Sequence, residues 1–277
     1  MNNIKFYSHI PNRKLGQNFL INKDIIKFII KSINIKYNDK MLEIGPGLGS
    51  LTYPVSQIVK ELIILEIDKS LHPILYDLKF KNHVKIIFAN AMTFDYNNFF
   101  DKYQNKLIRF FGNLPYNIST AFLLHILRYK ENIYDMHFMF QKEVADRIIA
   151  QPHDKKYGRL SIVVQFFFTI KYILSIEKIH FFPVPKVDSV FLKFSPINKL
   201  YKYNIIQYIN TISYITKIAF QHRRKILKHT LCHLFHLKEL SYFGINALQR
   251  AENISVKQYF QLTEYFIKKT NIKNIFY

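Results

Sequence analysis

Short apolar runs recur along the first two-thirds of the chain, and stretches with helical spacing of apolar residues separate them. The runs at 41–44, 62–67, 84–88, 107–111 and 136–140 are four to six residues long and lack the polar alternation of a half-exposed strand. Such runs fit the strands of a parallel sheet covered on both faces. The stretches at 51–59, 69–80, 119–129 and 142–150 read as helices, with Ser119 or Thr120 near one N-cap. This alternation predicts an α/β fold built from βαβ units. Beyond Gly158 the rhythm changes. Residues 162–168 are apolar, and 190–194 form a last strand just after the proline-rich PVPKVDS, which predicts an extra strand pair at the sheet's edge. From about residue 199 only helical spacing remains: Ile205, Ile209, Ile212, Ile215 and Ala219 fall at three- and four-residue steps. The expected organisation is an α/β domain over 1–198 and a small all-helical domain over 199–277, with no internal repeat between or within them.

Composition narrows the classes. A chain of 277 residues that is 49% apolar and 16% aromatic has enough material for a core, which excludes a disordered polypeptide. The most apolar run, 160–170, is only 11 residues long and is flanked by Arg159 and Lys171, so no membrane span is expected. The N-terminus lacks the apolar centre of a secretion signal, and a single cysteine, Cys232, excludes an internal disulfide framework and a multi-cysteine metal site. The expectation is a cytoplasmic protein, read as a monomer without metal. The net charge of +21 attracts polyanions, nucleic acid first among them. Ile, Lys, Asn, Phe and Tyr make up half the chain, however, as A/T-rich coding produces, so charge alone is weak evidence. Its distribution says more: residues 199–277 carry +10 against +11 for the first 198.

The same bias leaves only seven glycines, and Gly45, Gly47 and Gly49 fall within five residues of one another. The segment LEIGPGLG at 42–49 lies where the first strand passes into a helix, so its backbone can turn tightly and approach a ligand closely. Glu66 ends the second strand, 21 residues after Gly45, where a carboxylate can accept both hydroxyls of a ribose. The spacing G-x-G-x-G differs from the dinucleotide fingerprint G-x-G-x-x-G. Dehydrogenases place a pyrophosphate on such glycines, and S-adenosylmethionine (SAM) methyltransferases place the amino-acid part of their cofactor there; the glycines alone do not decide.

Asn113-Leu114-Pro115-Tyr116 decides more. It follows the fourth strand and Gly112, at the carboxyl end of a central strand. The exocyclic N6 of adenine is a poor nucleophile because its lone pair is delocalised into the ring. Acceptors that take both N6 hydrogens out of the base plane favour a tetrahedral nitrogen and free the lone pair. The Asn113 side-chain oxygen and the Leu114 carbonyl can act so. Pro115 fixes the turn and has no N–H to compete. Tyr116 offers a ring for stacking, worth roughly 1–3 kcal/mol.

Taken together, RKLGQNFL at 13–20, LEIGPGLGSLT at 42–52, LEID at 65–68, GNLPYNIST at 112–120, YGRLS at 157–161, FFPVPKVDS at 181–189 and FQHRRKIL at 220–227 resemble the ribosomal RNA adenine N6-dimethyltransferases, and among them the bacterial small-subunit (KsgA) type. The resemblance implies a Rossmann-like class I SAM-dependent methyltransferase fold with a C-terminal helical domain. It implies a reaction that moves methyl groups, twice per base and without metal, to N6 of two adjacent adenines in the 3′-terminal hairpin loop of 16S rRNA in an immature small ribosomal subunit. It further implies that Asn18 and Leu20 contact the cofactor, that Gly45 and Gly47 meet its methionine part and Glu66 its ribose, and that Asn113 serves both cofactor and base. Phe181 would sandwich the flipped adenine against Tyr116. One position departs from the family pattern: Asn90 stands where an Asp usually accepts from the cofactor's adenine amine. An uncharged acceptor there implies weaker cofactor binding by about 1 kcal/mol.

The run Phe220–His229 alternates basic and apolar residues, and Arg223, Arg224, Lys225 and Lys228 are the candidate phosphate contacts. Lys142, Arg147 and Arg159 are secondary candidates. No histidine sits at metal-ligand spacing with partners. Three other readings remain: a 23S rRNA adenine methyltransferase of the macrolide-resistance type, a ribosome-assembly factor that keeps the fold without catalysis, and, more distantly, a dehydrogenase.

Overall fold

A computed structural model describes residues 9–103, 106–198, 201–222 and 224–270. The chain divides into two compact units, Met1–Ala145 with Ile170–Pro196, and Asp146–Thr169 with Ile197–Tyr277. A single cut after residue 198 does not reproduce this grouping, because 146–169 pack with the helices of the second unit.

The first unit runs β1 (Phe19–Leu20), α1 (Lys23–Ile33), β2 (Met41–Ile44), α2 (Thr52–Ser56), β3 (Glu61–Glu66), α3 (His72–Asp77), β4 (His83–Phe88), α4 (Tyr96–Lys102), β5 (Ile108–Gly112), α5 (Tyr116–Ile126), β6 (Ile133–Gln141) and the first half of α6 (Lys142–Ile149), and resumes within β7 (Phe168–Ile176), followed by β8 (Phe181–Phe182) and β9 (Ser189–Pro196). Seven strands form one sheet in the order β4-β3-β2-β5-β6-β9-β7. The pairs β3–β4, β2–β3, β2–β5 and β5–β6 are parallel, and β6–β9 is antiparallel. The apolar runs explain the order. Every residue of β2 and β5 is buried, as strands covered on both faces require, whereas β4 at the edge exposes His83 and Lys85. The last strand expected at 190–194 is present as β9, but residues 162–167 of the apolar run expected to join it at the sheet's edge are helical, and β7 supplies the edge strand in their place. β1 and β8 form a separate two-stranded antiparallel pair.

From β2 the chain winds outward to β3 and β4, then returns to lay β5 on the other side of β2. That reversal opens a crevice at the carboxyl ends of β2 and β5, where open α/β sheets hold ligands. The register pairs Glu43 with Phe111, so two residues further on Gly45 comes level with Asn113. The two strands converge tightly there, and a Cβ on Gly112 would collide with the Ile44 carbonyl oxygen. α1 stands on one side of the sheet's core. The Asn22 side chain caps it by accepting from Asp24 N and Ile25 N at 3.0 Å, and Ile29 and Ile33 are its buried residues.

The second unit contains α7 (Arg159–Phe167), α8 (Ile205–Ala219), α9 (Leu227–Thr230), α10 (Leu237–Tyr242) and α11 (Val256–Thr270). α7, α8 and α11 pack on one another. Seven of α7's nine residues are buried, which makes the apolar run after Gly158 a central helix. α8 is the amphipathic helix that the isoleucine spacing predicts, with Ile212, Ile215 and Ala219 inward. Buried tyrosines keep their hydroxyls paired: Tyr157 donates to Ile254 O (2.9 Å), Tyr208 to Glu264 (2.9 Å) and Tyr259 to Ala251 O (3.0 Å). Among the described residues no helix is long and apolar enough to cross a membrane.

Candidate active site

A cavity of about 190 Å³ fills the crevice. Five places in the chain line it: residues 15–20 before and within β1, the glycine turn after β2, the end of β3, the segment just after β4, and Asn113 to Ile118 after β5. The turn is possible because Gly45 and Gly47 have φ of +67° and +56°. At Gly47 a Cβ would also lie 2.8 Å from the Phe19 ring. α5 begins at Tyr116, three residues ahead of the expected cap, because the Pro115 carbonyl already accepts from Ile118 N and Ser119 N at 3.1 and 3.0 Å. The tetrapeptide thus runs directly into the helix, and Tyr116 sits on the first turn beside the cavity.

Asn113 is held in one orientation. Its Nδ2 donates to the Asn18 carbonyl at 2.7 Å, which leaves the acceptor end, Oδ1, for a ligand. The Asn18 amide in turn donates to Gly16 O at 3.0 Å. Gln17 Nε2 donates to Asp68 at 2.6 Å, fastening the same segment to the loop after β3. The segment before β1 is therefore tied at one end to the β5 turn and at the other to the β3 turn.

Two carboxyl groups face the cavity. Glu66 is buried; its Oε1 accepts from Ile67 N and Asp68 N at 2.8 Å and its Oε2 from Gly47 N at 3.2 Å. Burial raises its pKa, and those three backbone donors restrain the rise. Glu43, inside β2, is 1% exposed, and its Oε2 has no hydrogen-bond partner. Burial pushes its pKa up to about 8, the Thr52 hydroxyl opposing and the Glu66 charge adding. The apolar reading of 41–44 passed over this residue, although a glutamate inside a fully buried strand is itself a signal. Among the described residues no group of three or more His, Cys, Asp or Glu is placed to hold a metal ion.

The cavity brings together Asn18, Leu20, Gly45, Gly47, Glu66, Asn90, Asn113, Leu114, Pro115 and Tyr116, all singled out by the sequence. Asn90 is exposed, and its Oδ1 accepts from Met92 N at 2.9 Å. Phe181 is not part of the lining. It is 1% exposed and packs in the core with Phe19, Leu20, Ile29 and Ile33, while its neighbour Phe182 is 47% exposed. Alternation along β8, which pairs Phe181 with Leu20, accounts for the inward ring. In the second unit Arg224, Lys225 and Lys228 are exposed, and Arg223 lies outside the described residues. The basic run is not one helix: α8 ends at Ala219, a turn follows, and α9 takes only Leu227–Thr230.

Sheet order, glycine turn and acid-ended β3 define a class I SAM-dependent methyltransferase fold. A solved structure titled dimethyladenosine transferase, from Plasmodium falciparum, superposes with a TM-score of 0.75 at 26% identity, covering 91% of this chain and 98% of its own. The 23S rRNA methyltransferase ErmE shares the fold at a TM-score of 0.68 and 20% identity, covering 90% of this chain and 99% of its own. The Ribosomal RNA small subunit methyltransferase A of Buchnera aphidicola subsp. Acyrthosiphon pisum is 47% identical over 96% of both chains. The model of the family Ribosomal RNA adenine dimethylase matches residues 8–268. The chain belongs to that family, and it is an rRNA adenine dimethyltransferase.

Proposed function

We propose that the cavity takes SAM and the target adenine side by side, and that the protein dimethylates two adjacent adenines of the 3′-terminal hairpin loop of 16S rRNA in an immature small subunit. The observation that carries this is the Asn113 amide, fixed by Asn18 O so that an acceptor faces the cavity level with Gly45. The cavity suits a guest that is part apolar and part polar, since it offers two buried carboxyl groups, one with an orphaned oxygen, beside Leu20 and Phe19. Gly45 and Gly47 would hold the methionine part, Glu66 the ribose, Asn18 and Leu20 the side nearest the N-terminal segment, and Asn90 the adenine amine. Bound there, SAM supplies a methyl group on a sulfonium, a strong leaving group.

The chain's own work is positioning. Asn113 Oδ1 and the Leu114 carbonyl accept the two N6 hydrogens of the base. The Leu114 carbonyl lies before the first helical bonds of α5, which start at the Pro115 carbonyl. Tyr116 stacks on the base. The second stacking face, assigned to Phe181 by the family pattern, requires its buried ring to become accessible when RNA binds. Arg223, Arg224, Lys225 and Lys228 would meet phosphates, and recognition of single-stranded bases fits an RNA loop.

Incubation of the protein with tritiated SAM and immature small subunits tests the reading. Label in 16S dimethyladenosine supports it. Label in 23S RNA instead, or RNA binding without label, overturns it in favour of the large-subunit enzyme or of a non-catalytic assembly factor. Charge reversal at Arg224 and Lys225 should weaken RNA binding at low salt; unchanged affinity removes that contact.

A further inference from the structure

Tyr116 raises a question that stacking leaves open: a phenylalanine would stack equally well and would bury no hydroxyl. The Tyr116 hydroxyl shares a hydrogen bond with Ser189 Oγ. Ser189 is fully buried, is the first residue of β9, and pairs in register with Gln141 at the end of β6. The residue before it is pinned twice. Asp188 Oδ1 accepts from Lys178 N at 3.0 Å, closing the loop that carries Phe181 and Phe182, and the Asp188 carbonyl accepts from Lys142 N at 2.9 Å. The far end of the Tyr116 ring is thus tied to the antiparallel strand, and its near end to the first turn of α5.

We propose that Ser189 is a positioning residue for the target base: it sets the tilt of the Tyr116 ring, while Asp188 holds the adjoining aromatic loop at a fixed distance from it. The Tyr116 hydroxyl then serves orientation and not proton transfer. Burial raises its pKa and the Asp188 charge adds, Ser189 opposing, so the phenol stays neutral near pH 7. The inference rests on the reading that the cavity receives the target adenine.

The test is a double-mutant cycle with Tyr116→Phe and Ser189→Ala, measured on immature small subunits. Each variant should lose about tenfold in kcat/KM for RNA, the worth of one hydrogen bond at a cost of 1.4 kcal/mol per factor of ten, and the double variant should lose no more than either. The SAM dissociation constant and the pH profile should stay at wild-type values. With 2-aminopurine at the target position, wild-type protein should quench the probe more than Ser189→Ala. Additive losses, an equal loss of SAM affinity, a shifted pH profile or equal quenching would each overturn the proposal. If Ser189→Ala does not fold, Tyr116→Phe decides alone, and wild-type kcat/KM in that variant overturns it. Absence of methyl transfer by the wild-type protein would instead strike the reading on which the inference rests.

Discussion

The two ends of β5 use polar groups in opposite ways. At its start, Arg109 is buried and all five of its N–H donors are engaged: with Asp135 twice at 2.8 Å, with Asp39 at 2.6 Å, and with the carbonyls of Ile33 and Asn34 at 2.7 and 3.2 Å. Lys193 adds a second cation to Asp135 at 3.2 Å. Burial works against each charge, but the mutual hydrogen bonds hold the Asp135 carboxyl below the usual range and raise Arg109. At the other end of the strand Asn113 keeps an acceptor open, and beside it Glu43 keeps a carboxyl oxygen unpaired. Arg109 spends every donor on bracing the fold, whereas the groups at the carboxyl end keep acceptors open toward the cavity.

Four experiments would break or sharpen this contrast. Arg109→Ala should cost about 3–5 kcal/mol of stability, because it leaves Asp135 and Asp39 with reduced partners; urea unfolding measures it, and a loss under 1 kcal/mol would erase the distinction. Asn113→Ala should lower methyl transfer by about 10²–10³-fold while moving the unfolding midpoint little, as expected for a polar group aimed at a reacting atom. Glu43→Gln should change the pH dependence of stability without cofactor. The folded carboxyl holds its proton up to about 8, the unfolded one only to near 4.5. Between those values the folded state binds more protons, so this carboxyl's contribution falls as pH rises through the window, by at most about 1.4 kcal/mol per unit, and is flat outside it. Denaturant titrations at several pH values should show that slope removed in the variant. Asn90→Asp has the smallest expected effect, a tightening of SAM binding by about 1 kcal/mol, or roughly fivefold, read by calorimetry.

Much of the first unit is legible in the chain because its information is local. A buried parallel strand is a short apolar run, and a ligand turn is a glycine cluster placed after one. What the residues concealed depends on partners far away. β1 and β8 are two residues each and exist only through pairing across about 160 positions. The run after Gly158 passes from α7 into β7 without a polar break, so periodicity cannot locate the junction. The dipeptide Phe181-Phe182 does not say which ring turns inward; the pairing with Leu20 does. Ser189 and Arg109 acquire their meaning only when elements 26 or more residues apart are brought together.

The near-collision that Gly112 avoids has a consequence for how this protein can change. The chain is rich in isoleucine, lysine and asparagine, yet the width of the gap between β2 and β5 is set by main-chain atoms. No compensating change in a neighbouring side chain can make room for a methyl group against a carbonyl oxygen. At that point even alanine, the smallest possible enlargement, would have to be absorbed by moving a strand, and the cavity mouth would move with it.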